Sequence, residues 1–449
     1  MSTDAIAAVI AMLAELDTNV SDAERIDRLT ALERVKSAVA AAQARFTDAF
    51  NRSELPRLVE GGADARDAQR SVCAQVGLAR RDSPHKGGRH VGLAATLVHE
   101  MPGVLRALQR GETSEWRATV VARETAHLSP EHRAQIDAGI ADQLAGWGDA
   151  RTERETRAWA QRLDPYGAAD RARKAATDRR VSIRPAPDCM VYLTSLLPVK
   201  DGVAVYGELH RQAMSAAGDP DEHRSRGQVM AVTLVSRVLT PNPGERQEPG
   251  VELHLVMTDR ALADADTEPA QLVGYGPLPA PIARDLVRAD AKTQVWVRRM
   301  YTDPTTGDLI TTDARRRDFP QVARMFLTAR DQTCRTPFCG APIRHADHAL
   351  AVAKGGVTDL RNGNGRCARC NLTKDLAGWS TQVRGDGAIV TTTPTGHRYT
   401  GRTPQPPRSR AWQRIRSIAD DLKTPAAAPL TALERRLAVL LDLEWPGAG

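Results

Sequence analysis

From Ile26 onward apolar residues return every three or four positions, through Leu29, Leu32, Val35, Val39, Ala42, Phe46 and Phe50. That period predicts one amphipathic helix over residues 21–50, with its apolar stripe read as packing surface. Ser21-Asp22-Ala23-Glu24 supplies a capping box at its start. Further helices are expected at Val91–Glu100 and at Val104–Gln109, the latter stopped near Gly111. Another starts around Ser114, carrying Trp116, Val120 and Val121, and one at Ser129-Pro130-Glu131, where a cap precedes a first-turn proline. Arg151–Leu163 reads as a densely charged helix.

The pattern shifts near residue 180. Val181–Ile183 and Met190–Leu193 read as short strands, and helices resume through Ala204–Ala217 and Gly227–Leu239. Pro241–Gly250 is a loop, and Val251, Leu253, Leu255 and Met257 alternate as in a strand. Gly274-Tyr275-Gly276-Pro277 is a turn, lacking the lysine of a phosphate loop. Hairpins are expected at Val295–Tyr301 with Asp303–Gly307, and at Gln382–Val390 around Gly385-Asp386-Gly387. Thr400–Arg410 reads as a linker and Leu430–Leu443 as a terminal helix.

At 449 residues the chain exceeds one ordinary core, and only 4% of it is aromatic, which favours helices packed through small and aliphatic side chains. The apolar run Ala5–Leu13 follows Asp4 and no Lys or Arg, unlike a secretion signal, and no stretch reaches a membrane span. A cytoplasmic protein with no membrane partner is expected. The net charge is +7, and its placement matters more than its size. Residues 315–380 hold 12 Lys/Arg against 5 Asp/Glu, so this segment carries the whole excess. Concentrated basic charge points to a polyanion such as DNA.

The same segment holds four of the six cysteines: Cys334-x4-Cys339, then Cys367-x2-Cys370. Two such pairs can close a tetrahedron on one Zn²⁺, supplying folding energy to a stretch poor in large apolar residues. Cys73 and Cys189 are read as small buried side chains. Between the pairs stand Asp347-His348, Gly355-Gly356 and Asn362, with Asn371 directly after the last cysteine. Hydrolysis of a phosphodiester needs a proton acceptor and a cation beside the phosphate; His348 suits the first and Asp347 can bind the second. The glycines permit a tight return towards a helix starting near Cys367, which would bring Asn371 beside Asp347.

The string HADHALAVAKGGVTDLRNGNGRCARCNLTK resembles the HNH endonuclease motif, a ββα-metal fold. The resemblance implies Asp347 as the first ligand of a catalytic metal, His348 as general base, Asn362 as the loop brace that orients it, and Asn371 as second ligand. Asn371 stands where the family has its last histidine, an HNN variant. A neutral amide favours Mg²⁺ or Mn²⁺ over a catalytic zinc. Ala351 replaces a proline common in the family, and Asp375, one turn beyond Asn371, is a further candidate ligand. Stretches such as LTALERVKSAVAAAQARF, PAQLVGYGPLPAPIARDL and YTDPTTGDLI resemble nucleases of high-GC Gram-positive bacteria that carry a helical domain of unknown function before the HNH module. That likeness spans roughly residues 25 to 400.

The expected architecture is a mainly α region at 1–178, a mixed α+β continuation at 179–312, a ββα-metal module with a four-cysteine zinc site at 313–400, and a linker with a C-terminal helix at 401–449. Arg366, Arg369 and Lys374 are candidate phosphate contacts; Arg315-Arg316-Arg317 and His345 are weaker ones. The expected function is a metal-dependent DNA endonuclease. The alternative is a zinc module that binds nucleic acid without cutting it.

Overall fold

Serine hydroxyls start six of the fifteen α-helices among the described residues. Ser2, Ser21, Ser83, Ser114, Ser129 and Ser225 each sit at an N-cap and accept a hydrogen bond from a first-turn amide. Each satisfies an amide that has no partner within its helix. The computed structural model describes residues 2–217, 222–240, 253–263, 266–288 and 319–402.

The helices run α1 (Thr3–Ala14), α2 (Asp22–Glu60), α3 (Ala65–Ala79), α4 (Pro84–Ala95), α5 (Pro102–Gln109), α6 (Glu115–Thr125), α7 (Pro130–Ile140), α8 (Asp149–Leu163) and α9 (Pro165–Ala175). Antiparallel strands β1 (Arg180–Ala186) and β2 (Met190–Leu196) follow, then α10 (Val199–Ala216) and α11 (Arg226–Leu239). A small sheet, β3 (Leu255–Val256), β4 (Ala270–Leu272) and β5 (Gly276–Leu278), is interleaved with α12 (Asp259–Leu262) and followed by α13 (Ala280–Arg288). Helix α14 (Gln321–Asp331) leads to strands β6 (His345–His348) and β7 (Gly363–Arg366) and helix α15 (Ala368–Thr373). The meander β8 (Ser380–Val383), β9 (Ile389–Thr392) and β10 (Arg398–Gly401) closes the described chain.

Among the described residues, 2–217, 222–240, 319 and 331–402 form one compact unit, and 253–288 with 320–330 a second. The first unit's main core gathers Leu97, Met101, Val104, Leu108, Val121, Ile136, Ile140 and Leu144, all fully buried, against Ala40, Ala41 and Ala44 of α2. Each large aliphatic side chain contributes about 1.5–3 kcal/mol by leaving water. Asp137 fastens α7 to the start of α5, accepting from the Gly103 and Val104 amides at 2.7 Å each. No described helix is long and apolar enough to cross a membrane.

Helix α2 extends ten residues past its expected end and turns a different face inward. Ile26, Leu29 and Phe46 are 62%, 62% and 71% exposed, while Ser37, Ala40, Ala41, Ala44, Thr47 and Asp48 are buried. Small side chains let the core helices approach closely, a gain that the large apolar stripe would have blocked. Cys189 is exposed, in the turn between β1 and β2, whereas Cys73 is buried as expected. Thr400 and Gly401, read as linker, belong to β10. The expected elements at Pro241–Gly250, Val295–Gly307 and Leu430–Leu443, and the triplet Arg315–Arg317, lie outside the described residues.

Candidate nuclease site and its cysteine cluster

Strands β6 and β7 pair antiparallel, with Asp347 opposite Asn364 and His348 opposite Gly363. Between them the chain turns through Gly355, at φ 86°, a left-handed conformation that favours glycine. A Cβ at Gly356 would fall 1.8 Å from the Leu350 carbonyl oxygen, so that position needs a hydrogen atom. Asn362 ties the loop together. Its Oδ1 accepts from the Leu350 amide at 2.8 Å, and its Nδ2 donates to the Leu350 and Val357 carbonyls at 2.9 and 2.8 Å.

His348 is buried at the end of β6. Its Nε2 lies 2.9 Å from Thr358 Oγ1, and the Phe319 ring packs on it at 4.6 Å between centroids. Successive strand residues point to opposite faces. Because the strand ends here, Asp347 Oδ1 still comes within 4.0 Å of His348 Nδ1. Asp347 Oδ2 is buried, without a hydrogen bond but with the Lys374 ammonium 2.9 Å away as an ion pair. Lys374 also pairs with Asp375 at 2.9 Å. Asn371 stands three residues before Lys374 on the same side of α15. Its Oδ1 is buried with no hydrogen-bond partner among the described residues. Asn371 Oδ1, a buried acceptor with no hydrogen-bond donor, and the Asp347 carboxylate, held by Lys374 alone on Oδ2, are oxygen ligands of the kind a hard divalent cation takes.

The four sulfur atoms of Cys334, Cys339, Cys367 and Cys370 lie within 4.8 Å of one another. Cys339 Sγ is 3.9 Å from Cys367 Sγ and 3.7 Å from Cys370 Sγ. Zinc–sulfur bonds of about 2.3 Å set the edges of a tetrahedron at about 3.8 Å. The cluster has the dimensions to bind a metal such as zinc. Hydrogen bonding from Cys339 pulls the Cys334 thiol down, while hydrogen bonding with Cys334 pushes the Cys370 thiol up. Cys367 is also the N-cap of α15, so the cluster fixes where the helix carrying Asn371 begins. On the opposite side, Asp331 accepts from the Gly365 amide at 2.7 Å and pairs with buried Arg335 at 3.1 Å, joining the first cysteine loop to β7.

The segment is docked on the helical region within the same unit. Trp379 is buried with Ala74 and Leu78 of α3, and Leu376 and Tyr399 pack around them. The Trp379 indole donates to Ser71 Oγ at 2.8 Å, and Thr395 Oγ1 to Gln75 Oε1 at 2.8 Å.

The structure brings Asp347, His348, Asn362 and the four cysteines into one small unit with α15. Of the three expected phosphate contacts, Arg366 is only 1% exposed, bonded to Asn364 and Thr336 inside the module. Lys374 faces Asp347 and Asp375. Arg369 is half-buried against α4, and His345 is exposed. Sequence reasoning missed Thr358, Phe319 and Asp331. Spacing marks none of them, because each acts through a neighbour that only the fold supplies.

The family described as "Domain of unknown function (DUF222)" matches residues 29–331. A Mycobacterium tuberculosis protein named uncharacterized protein Rv3776 is 28% identical, over 84% of this chain and 80% of its own length. A second from the same species, uncharacterized protein Rv2100, is 25% identical, over 85% of this chain and 76% of its own. No solved structure matches the chain.

Proposed function

Because the chain belongs to the DUF222 family, whose description assigns no chemistry, we propose its function from the site itself: a metal-dependent DNA endonuclease of the HNH type. The observation that carries this reading is the buried Asn371 Oδ1, which has no hydrogen-bond donor, in one module with the Asp347 carboxylate and an imidazole braced by Thr358. With Nε2–H donated to Thr358, His348 Nδ1 holds the lone pair that takes a proton from water. That water attacks phosphorus in line, the bond to the 3′ oxygen breaks, and a 5′-phosphate remains. A divalent ion, Mg²⁺ or Mn²⁺, held by Asp347 and Asn371 would stabilise charge on the leaving oxygen.

Asn362 keeps the loop closed so that Thr358 stays behind the imidazole. Phe319 covers one face of the ring and limits its motion. Lys374 balances the Asp347 carboxylate and holds it towards α15. The four cysteines would hold Zn²⁺ in a structural role, with Cys367 setting the start of α15. Four cysteines gathered as a metal site, with Cys73 and Cys189 apart from them, fit a reducing compartment, the cytoplasm.

The second reading, a zinc module that binds nucleic acid without cutting, draws on the same Lys374, whose ammonium already neutralises Asp347. Supercoiled plasmid incubated with zinc-loaded protein separates the two. Nicking that requires added Mg²⁺ or Mn²⁺ and is lost in Asp347→Ala supports the nuclease. A mobility shift with no nicking under any metal supports the binder and removes the enzyme.

A further inference from the structure

Helices α3 and α4 form a hairpin closed by direct backbone contact. A Cβ at Gly87 would fall 2.0 Å from the Cys73 carbonyl oxygen and 2.7 Å from the Gly77 nitrogen. From Ala79 to His90 the segment carries Arg80, Arg81, Lys86 and Arg89 against one acid, Asp82. Asp82 is engaged by Lys86 at 2.9 Å and His90 at 3.0 Å. The nearby Glu115 is engaged by Arg80 at 2.9 Å. Arg81 and Arg89 are exposed, and no acid pairs with them among the described residues.

His85, Arg89 and Gly92 share one exposed face of α4 by helical spacing, with half-buried Gly88 at its edge. Arg369 of the cysteine module joins this face. A Cβ at Gly88 would lie 3.4 Å from Arg369 Nη2, and Arg369 Nε is buried without a hydrogen-bond partner. Gly92 has nothing within 4 Å of where its Cβ would stand, so packing gives no reason for a glycine that costs helix stability. A helix face that is bare at Gly92 and cationic beside it lets a phosphate backbone approach closely.

We propose that the exposed face of α4, with Arg81, His85, Arg89 and Arg369, is a duplex-DNA backbone clamp that the helical domain contributes beside the nuclease module. The proposal rests on the nuclease reading for its choice of polyanion. Trp379 and Thr395 hold the module on α3, so clamp and cutting site are carried in fixed register. The partner is read as double-stranded and sequence-independent, since arginines on a smooth helix face meet phosphates rather than base edges.

The test is duplex-DNA binding by fluorescence anisotropy across a salt series, in a His348→Ala background so that no strand is cut. Removing two phosphate contacts should lower the slope of log affinity against log salt by about two. Arg81→Gln/Arg89→Gln is expected to show that loss, with binding weakened roughly tenfold or more at physiological salt. Gly92→Glu, whose Cβ would meet no protein atom, is expected to weaken binding with an unfolding midpoint no lower than the parent's. Arg154→Gln/Arg173→Gln, removing the same charge from α8 and α9, is the control and should bind like the parent. Unchanged slope and affinity in the first two variants, or an equal loss in the control, would overturn the clamp. Metal-dependent nicking that survives in the wild-type background while the clamp variants bind normally removes the clamp and leaves the nuclease. Binding that depends on this face, with no nicking under any metal, keeps the clamp and removes the nuclease.

Discussion

Replacing Trp379 with alanine should release the cysteine module from the helical region. The indole is 5% exposed and packs on Ala74, Leu78, Leu376 and Tyr399. Truncating a buried tryptophan costs about 3–5 kcal/mol in transfer and cavity terms. The lost 2.8 Å hydrogen bond also strands the Ser71 hydroxyl, itself 2% exposed, adding about 1–3 kcal/mol. Trp379→Phe keeps most of the ring contact and loses the indole donor, so it should cost only the hydrogen-bond share. Urea denaturation gives the totals, and amide hydrogen exchange locates them. Exchange in Trp379→Ala should rise in α3 and in residues 376–401, ahead of the core around Leu108 and Ile140. An alanine variant within about 1 kcal/mol of wild type would refute the docking argument. A phenylalanine variant as costly as alanine would refute the division between packing and hydrogen bond.

Cys370→Ser should abolish stoichiometric zinc and unfold the module, because structural zinc supplies on the order of 10 kcal/mol or more to so small a unit; full zinc retention, read by metal analysis, would contradict the tetrahedral site. Gly356→Ala should destabilise by roughly 2–4 kcal/mol or fail to fold, since its methyl would collide with the Leu350 carbonyl; a wild-type unfolding midpoint would contradict that geometry. Acid should weaken the α2–α3 contact. The Arg57 guanidinium holds the Glu54 carboxyl below its ordinary value against the opposing effect of burial, with Gln75 adding a hydrogen bond. A lowered folded value means the stabilisation is full above about pH 4.5 and lost as pH falls through the folded value. The stability difference between wild type and Glu54→Gln should therefore shrink below that pH, and a constant difference would contradict the pairing.

The helices were legible wherever a cap and a period coincided. Ser114 and Ser129 open α6 and α7 as serine caps do in isolation, because capping is a local interaction. The inward face of α2 was not legible. Hydrophobic period finds the largest apolar side chains, whereas this core selected Ala40, Ala41 and Ala44 for close approach. Helix α3 went unread because its buried face mixes Ser71 and Gln75 with apolar residues, and those polar groups serve partners more than 300 residues away. In the site, cysteine spacing was enough to find the cluster, since the metal geometry constrains the sequence directly. Arg366 looked like a surface cation in the sequence. Its burial depends on Asn364 and Thr336, which only the folded β7 brings to it.

The central claim is that His348 takes a proton during cleavage of a DNA strand. Single-turnover nicking of supercoiled plasmid by zinc-loaded protein, with Mg²⁺ or Mn²⁺ added, measures it most directly. Wild type should cut, and His348→Ala should cut slower by a factor of roughly 10²–10⁴ with unchanged zinc content and a retained cooperative fold. Equal rates in the two proteins would contradict the account.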